Sequence, residues 1–320
     1  MTDPTVSRLR LIRTTGIGPV TYRQLIARFG SADAAIDALP MLAQRGGGRS
    51  PRIADTALAE REIAATAKLG ARYLFLDDAD YPSLLAEIET APPALIFRGN
   101  LTHATRPCIA MVGARNASAA ACRFARQLAL QLAEEGTTIV SGLARGIDTA
   151  AHIGALGAGS SGATIGVIAS GIAGLAIGTV VVEAVPKSGS LITARLANES
   201  GREVMAVPGS PLDPRAQGCN LLIREGATLV QSAADILEQI RPFDPRSVRS
   251  PIDAYASSPA EDATDTDRRR ITDLLGPVPV AIDELIRQSR RSPAVVHTVL
   301  LELELAGRLD RHAGGRASLT

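Results

Sequence analysis

The rhythm of apolar positions changes twice along this chain. From about residue 5 to 67 it is helical. Leu9, Leu11 and Ile12 precede Thr14-Thr15-Gly16-Ile17-Gly18-Pro19, and Tyr22, Leu25, Ile26 and Phe29 then recur at helical spacing until Gly30. Two short helices around a Gly-x-Gly turn read as a helix-hairpin-helix, although any αα-turn uses the same punctuation. From about residue 71, short apolar runs alternate with amphipathic stretches. Runs at 73–76, 108–112, 137–140, 164–169, 179–183, 203–207 and 228–230 read as strands. Stretches at 118–135, from 148 onward and at 191–200 read as helices. This alternation predicts an α/β domain, a Rossmann-like, doubly wound, mostly parallel sheet. Residues 243–264 have no apolar period and read as a linker. Helical patterns at 269–275, 282–289 and 293–306, followed by a hairpin around Gly314-Gly315, predict a winged helix. The expected division is 1–70 helical, 71–242 α/β, 243–264 linker and 265–320 winged helix.

One spacing conflicts with this scheme. Only 170–178 separates two of the strands, whereas a crossover between parallel strands needs about a dozen residues or more. Either one strand runs antiparallel, or a segment is missing from the numbered chain.

Composition narrows the function. At 320 residues, 46% hydrophobic and 21% charged, the chain can bury a good-sized core. A net charge of +1 means that any polyanion is held by a local patch. Aromatics make up 3%, with no Trp, which argues against base stacking on an aromatic platform and for a grip on the backbone. Cys108, Cys122 and Cys219 are scattered and have no ligand spacing, so a reduced, cytoplasmic chain without a metal site is expected. No signal peptide or membrane span is read.

The chemistry gathers in three strand–turn–helix junctions. Gly113-Ala114-Arg115-Asn116-Ala117-Ser118 follows the strand at 108–112, and Ser141-Gly142-Leu143-Ala144-Arg145-Gly146 follows that at 137–140. Lys187-Ser188-Gly189-Ser190 follows that at 179–183. Free amides at a helix N-terminus make an anion cradle, and Arg115, Arg145 and Lys187 add cations. Gly113, Ser118, Ser141, Gly142, Gly146, Ser188, Gly189 and Ser190 complete the candidate phosphate-binding set. No turn matches a P-loop or a full dinucleotide fingerprint, and no catalytic constellation is read. Asp148 is expected to cap the helix after it, and His152 to be a packed histidine. Glu183 is expected to join a polar network. For Arg215, ligand contact and a structural ion pair both fit. The helix at 293–306 lacks the Arg, Asn or Gln that read base edges, so a protein-contact role suits it better than duplex reading.

Gly113-Ala-Arg-Asn-Ala-Ser118, Ser141-Gly-Leu-Ala-Arg-Gly-Ile-Asp-Thr-Ala-Ala-His152, Ser188-Gly-Ser-Leu-Ile-Thr-Ala194 and Pro208-Gly-Ser-Pro-Leu-Asp-Pro-Arg-Ala-Gln-Gly-Cys-Asn220 resemble the DNA-processing protein A (DprA/Smf) family. The resemblance covers most of the middle region, and the flanking helix-hairpin-helix (SAM-like) and winged-helix parts are also similar. It implies a dimeric, non-enzymatic single-stranded-DNA-binding protein, without cofactor, that loads RecA during natural transformation. A further basic stretch, Pro-x-Arg-Asn-Arg-x-Ile-Ser, is implied near 170–178 and is absent here. An omitted segment is therefore expected; a true deletion would imply weak DNA binding. The competing reading is a Rossmann-like enzyme or sensor for a nucleotide-derived small molecule.

Overall fold

Local capping explains the first helices of the computed structural model, which describes residues 3–168, 172–240, 262–312 and 314–320. The Asp3 carboxylate accepts from Thr5 N and Pro4 opens α1 (Pro4–Arg13). Pro19 likewise opens α2 (Pro19–Phe29), which ends on the left-handed Gly30. Ser31 and Asp55 cap α3 (Ala32–Arg45) and α4 (Thr56–Lys68). Next come β1 (Arg72–Phe75), α5 (Ser83–Ala86) and β2 (Ala94–Phe97), with β1 and β2 forming their own antiparallel ribbon.

The α/β region follows as β3 (Cys108–Gly113), α6 (Ala119–Glu134), β4 (Thr138–Ser141), α7 (Ile147–Gly157) and β5 (Thr164–Gly166). It continues with α8 (Ile172–Leu175), β6 (Gly178–Val182), α9 (Gly189–Glu199) and β7 (Glu203–Ala206), then α10 (Gln217–Arg224), β8 (Thr228–Leu229) and α11 (Ala233–Ile240). Strand order is β5-β4-β3-β6-β7-β8, and every pair is parallel. Leu128, Leu132, Ile139 and Ile147 belong to the core beneath α6, α7 and α11. Val112, Val181, Ala194 and Cys219 form a second cluster with α9 and α10. The order reverses between β3 and β6, so the crevice that such sheets use for ligands lies at the carboxyl ends of these two strands.

One of the two alternatives fails at the short connection: every described strand pair of this sheet is parallel. The strand read over 164–169 ends at Gly166, which frees residues 167–177 for the crossover. Val167, Leu175 and Ala176, which flank 169–171, pack with Cys108, Ala110 and Val140 on one face of the sheet.

The last region contains α12 (Asp265–Asp273), β9 (Val280–Ala281), α13 (Ile282–Ser289), α14 (Pro293–Leu305), β10 (Leu309–His312) and β11 (Arg316–Leu319). Thr264 and Asp267 form a reciprocal capping box on α12. β10, β11 and β9 make a small antiparallel sheet. This winged helix packs into one unit with α1–α4 and the β1–β2 ribbon, while the α/β region makes the other. Within the first unit, α14 belongs to two cores. Val295, Val296, Val299, Leu300 and Leu303 face the winged helix, and Leu301 and Leu305 join Leu39 and Leu42 of α3.

Candidate functional site

Backbone contacts that only glycine permits bring the three loops together. A Cβ on Gly113 would lie 1.9 Å from Val182 O and 2.6 Å from the Ile147 side chain. Gly146 has φ of 80°, and its Cβ would lie 2.2 Å from Ala114 O. The loops are then laced by main-chain bonds: Ala114 N donates to Glu183 O at 2.8 Å and Ile147 N to Ala114 O at 3.3 Å. Leu143, Glu183 and Lys187 all take left-handed backbone, three of the four non-glycine residues that do so among the described residues. Such conformations persist where surrounding structure enforces them, and they cluster at functional sites.

Side-chain bonds then fix the loops. The Glu183 carboxylate accepts from Ser118 N at 2.8 Å and Ser118 Oγ at 2.6 Å, while Ser118 Oγ accepts from Ala121 N and caps α6. Glu183 is thus part of a polar network, and the Ser118 hydroxyl is committed to it. The Asp148 carboxylate accepts from Gly142 N at 3.1 Å and Ala144 N at 3.3 Å. This corrects the expected cap. The N-cap of α7 is Gly146, and Asp148, in the first turn, staples the loop behind it. Ser141 is fully buried and its hydroxyl donates to Met111 O, so it ties β4 to β3 and does not face the crevice. Gly142 N–H is taken by Asp148 and is not open to an anion.

The remaining candidates are presented differently. Arg115, Arg145 and Lys187 are exposed and make no ion pair among the described residues. Ser188, the N-cap of α9, makes no side-chain cap bond, and its hydroxyl meets that of Ser190 at 2.8 Å. The exposed Gly189 therefore opens a helix whose first amides lack a side-chain cap. Arg215 resolves as an ion pair, with Nε and Nη2 on Asp213 at 3.1 and 2.9 Å, and this guanidinium holds the Asp213 carboxyl below its ordinary range. Asn220 clamps the same loop by exchanging two bonds with Gly209. His152 Nδ1 lies 2.7 Å from Thr164 Oγ1, and burial lowers its pKa, as suits a packed imidazole. Burial pushes the Cys108 thiol up to about 12 and that of Cys219 to about 11. Among the described residues no group of acids, Cys and His could hold a metal ion, and no helix is long and apolar enough to cross a membrane.

The stapling roles of Glu183 and Asp148 were only partly legible. A carboxylate at a strand end and another after a Gly-rich turn are visible in sequence, but their amide partners are set by loop crossings.

Fold and site together define a Rossmann-like protein with a cation-bearing loop edge at its topological switch point. The chain matches the family model described as DNA recombination-mediator protein A over residues 72–173 and 171–241. It also matches the DprA-like N-terminal HHH domain over 2–65 and the DprA winged helix domain over 256–315. The chain belongs to the DprA family of DNA recombination mediators. Protein Smf of Synechocystis is 28% identical over 383 aligned positions, covering 94% of this chain and 95% of the relative. Protein Smf of Escherichia coli is 33% identical, covering 76% of each. The crystal structure of DNA processing protein A from Streptococcus pneumoniae is 30% identical, with a TM-score of 0.55 over 75% of this chain and 98% of that one. The family match breaks at 171–173, and the Synechocystis alignment is longer than this chain, so the relative carries residues that this chain lacks.

Proposed function

We propose that the loop edge holds single-stranded DNA by its phosphates, with Arg115, Arg145 and Lys187 as the cations and the start of α9 as the cradle, through the Gly189 and Ser190 amides beside the Ser188 hydroxyl, since Ser188 N donates to Val185 O. Gly113 and Gly146 act by letting the loops meet. The chain then serves as a homodimer that shields incoming strands and loads RecA onto them in natural transformation, without itself catalysing a reaction. The observation that carries the DNA reading is three unpaired cations on three loops at one switch point of a family fold. RecA loading and dimer formation rest on family membership.

The shortened crossover removes a basic stretch that the resemblance implied, so the grip depends on few contacts. Three neutralised phosphates give a salt slope of about −2 for single strands, at roughly −0.7 per contact. Fluorescence anisotropy of a labelled oligonucleotide across a salt series reads this directly. Arg115→Ala is expected to weaken binding and to reduce the slope by about 0.7. Salt-independent binding, or an unchanged slope in Arg115→Ala, would overturn the assignment. Release of a free base from a nucleoside monophosphate would instead favour the small-molecule reading.

A further inference from the structure

The unit that joins the N-terminal helices to the winged helix contains a pocket of about 230 Å³, separate from the loop edge. Arg45 at the end of α3, Arg268 and Arg269 on α12, and Arg308 after α14 line it, against Glu302 and Asp273. Glu302 is only 1% exposed and is held by Arg268, with Nε and Nη2 on the two carboxylate oxygens at 2.8 and 2.9 Å. A carboxylate this deep needs its own counter-ion, and Arg268 supplies it. Arg45 also approaches Glu302 at 3.9 Å and Arg268 also pairs with Asp265 at 3.2 Å; Arg269 and Arg308 make no ion pair among the described residues and leave a cationic surplus.

Asp262 does not line the pocket but pairs with two of the arginines that do, Arg45 and Arg268. Both its carboxylate oxygens accept from Arg45 Nη1, at 2.9 and 3.0 Å. The same carboxylate lies 3.4 Å from Arg28 and 3.8 Å from Arg268. Its side chain is nevertheless 56% exposed. Asp262 is therefore an accessible acid set among guanidinium groups from three helices, α2, α3 and α12. Arg308 is anchored across the pocket by donating to Gly46 O at 3.0 Å. Arg269 is exposed and makes no ion pair among the described residues.

We propose that this arginine cradle is a second anion site, for a terminal phosphate group, with Asp262 as an internal competitor for Arg45 and Arg268. Guanidinium groups present paired N–H donors that match phosphate oxygens. A terminal phosphate carries about −1.5 to −2 at neutral pH against the single charge of Asp262, so several guanidinium groups favour it. Free phosphate and the 5′-phosphate of a nucleic-acid strand share this chemistry.

Isothermal titration of the full chain with inorganic phosphate, in chloride buffer at fixed ionic strength, tests the site. Asp262→Asn removes the competitor and is expected to bind phosphate about fivefold more tightly than wild type, the scale of one exposed ion pair. Arg269→Gln replaces an exposed, unpaired side chain, so it leaves the fold intact and is expected to weaken binding. Arg115→Ala, on the loop edge, is expected to bind phosphate at this site as wild type does. Absence of binding by both wild type and Asp262→Asn overturns the proposal. So does loss of binding in Arg115→Ala with none in Arg269→Gln, an outcome that leaves the loop-edge reading standing. Displacement of phosphate by a 5′-phosphorylated oligonucleotide, and not by its 5′-hydroxyl form, would identify a strand end as the source; displacement by neither would identify free phosphate.

Discussion

Glycine decides the loop edge one residue at a time. Gly146 combines left-handed backbone with a Cβ position 2.2 Å from Ala114 O. Gly146→Ala therefore adds backbone strain of about 1–2 kcal/mol and a steric overlap of about 1–3 kcal/mol. The 113–118 and 142–146 loops are expected to separate, with a large loss of oligonucleotide affinity by anisotropy and a lower urea midpoint. Wild-type affinity in Gly146→Ala would show that the loop crossing is not needed for binding. Glu183→Gln tests the neighbouring staple. It leaves one acceptor oxygen where two carboxylate oxygens accepted from Ser118, so one bond weakens and the other is lost or must reverse, an expected loss of about 1–2 kcal/mol. Urea unfolding of Glu183→Gln checks that figure, and an unchanged midpoint would mean that Ser118 is held by its α6 cap alone.

At the level of elements, strand–glycine–helix junctions were the most legible part of the chain. β3, β4, β6 and β7 fall within a residue or two of the runs at 108–112, 137–140, 179–183 and 203–207, because each run is mainly apolar and carries buried residues. Partners that lie far off in sequence were not legible. The burial of Ser141 follows from its place against Met111 O, which the residue type does not announce. α14 shows the same limit. Its nearly continuous apolar run marks a helix buried all round, but nothing local says that α3 covers the face turned away from its own domain. Leu301 and Leu305 close that face against α3. Leu305→Ala is expected to cost about 2–5 kcal/mol and to lower hydrogen-exchange protection in α3 and α14 together. Loss of protection in the winged helix alone would mean that the two regions do not share a core.

Each unit carries a half-buried histidine whose pKa burial lowers, His297 in the first and His152 in the second. Arg311 adds to the depression of His297, while Glu89 and Asp283 oppose it; Asp148 opposes that of His152. Each imidazole stays neutral in the folded chain at pH values where the unfolded chain, with a value of 6.5, takes up a proton. Protonation then favours unfolding, so stability is fully present above pH 6.5 and falls as the pH drops toward the depressed folded values. The slope is at most about 1.4 kcal/mol per pH unit for each histidine. The carboxylates act later. Asp267, lowered by the Thr264 bonds and by Arg291 and Arg268, and Glu62, lowered by Arg13 and Tyr73, contribute stability above the ordinary carboxylate range. They lose it only as the pH falls through their own depressed values, below about 4. The window between pH 6.5 and 5 is where these two imidazoles act. Thermal unfolding across that window is expected to be flatter in His152→Gln and in His297→Gln than in wild type, and flattest in the double variant. An acid slope unchanged in the double variant would place the titration on other groups and remove burial of these two imidazoles as its cause.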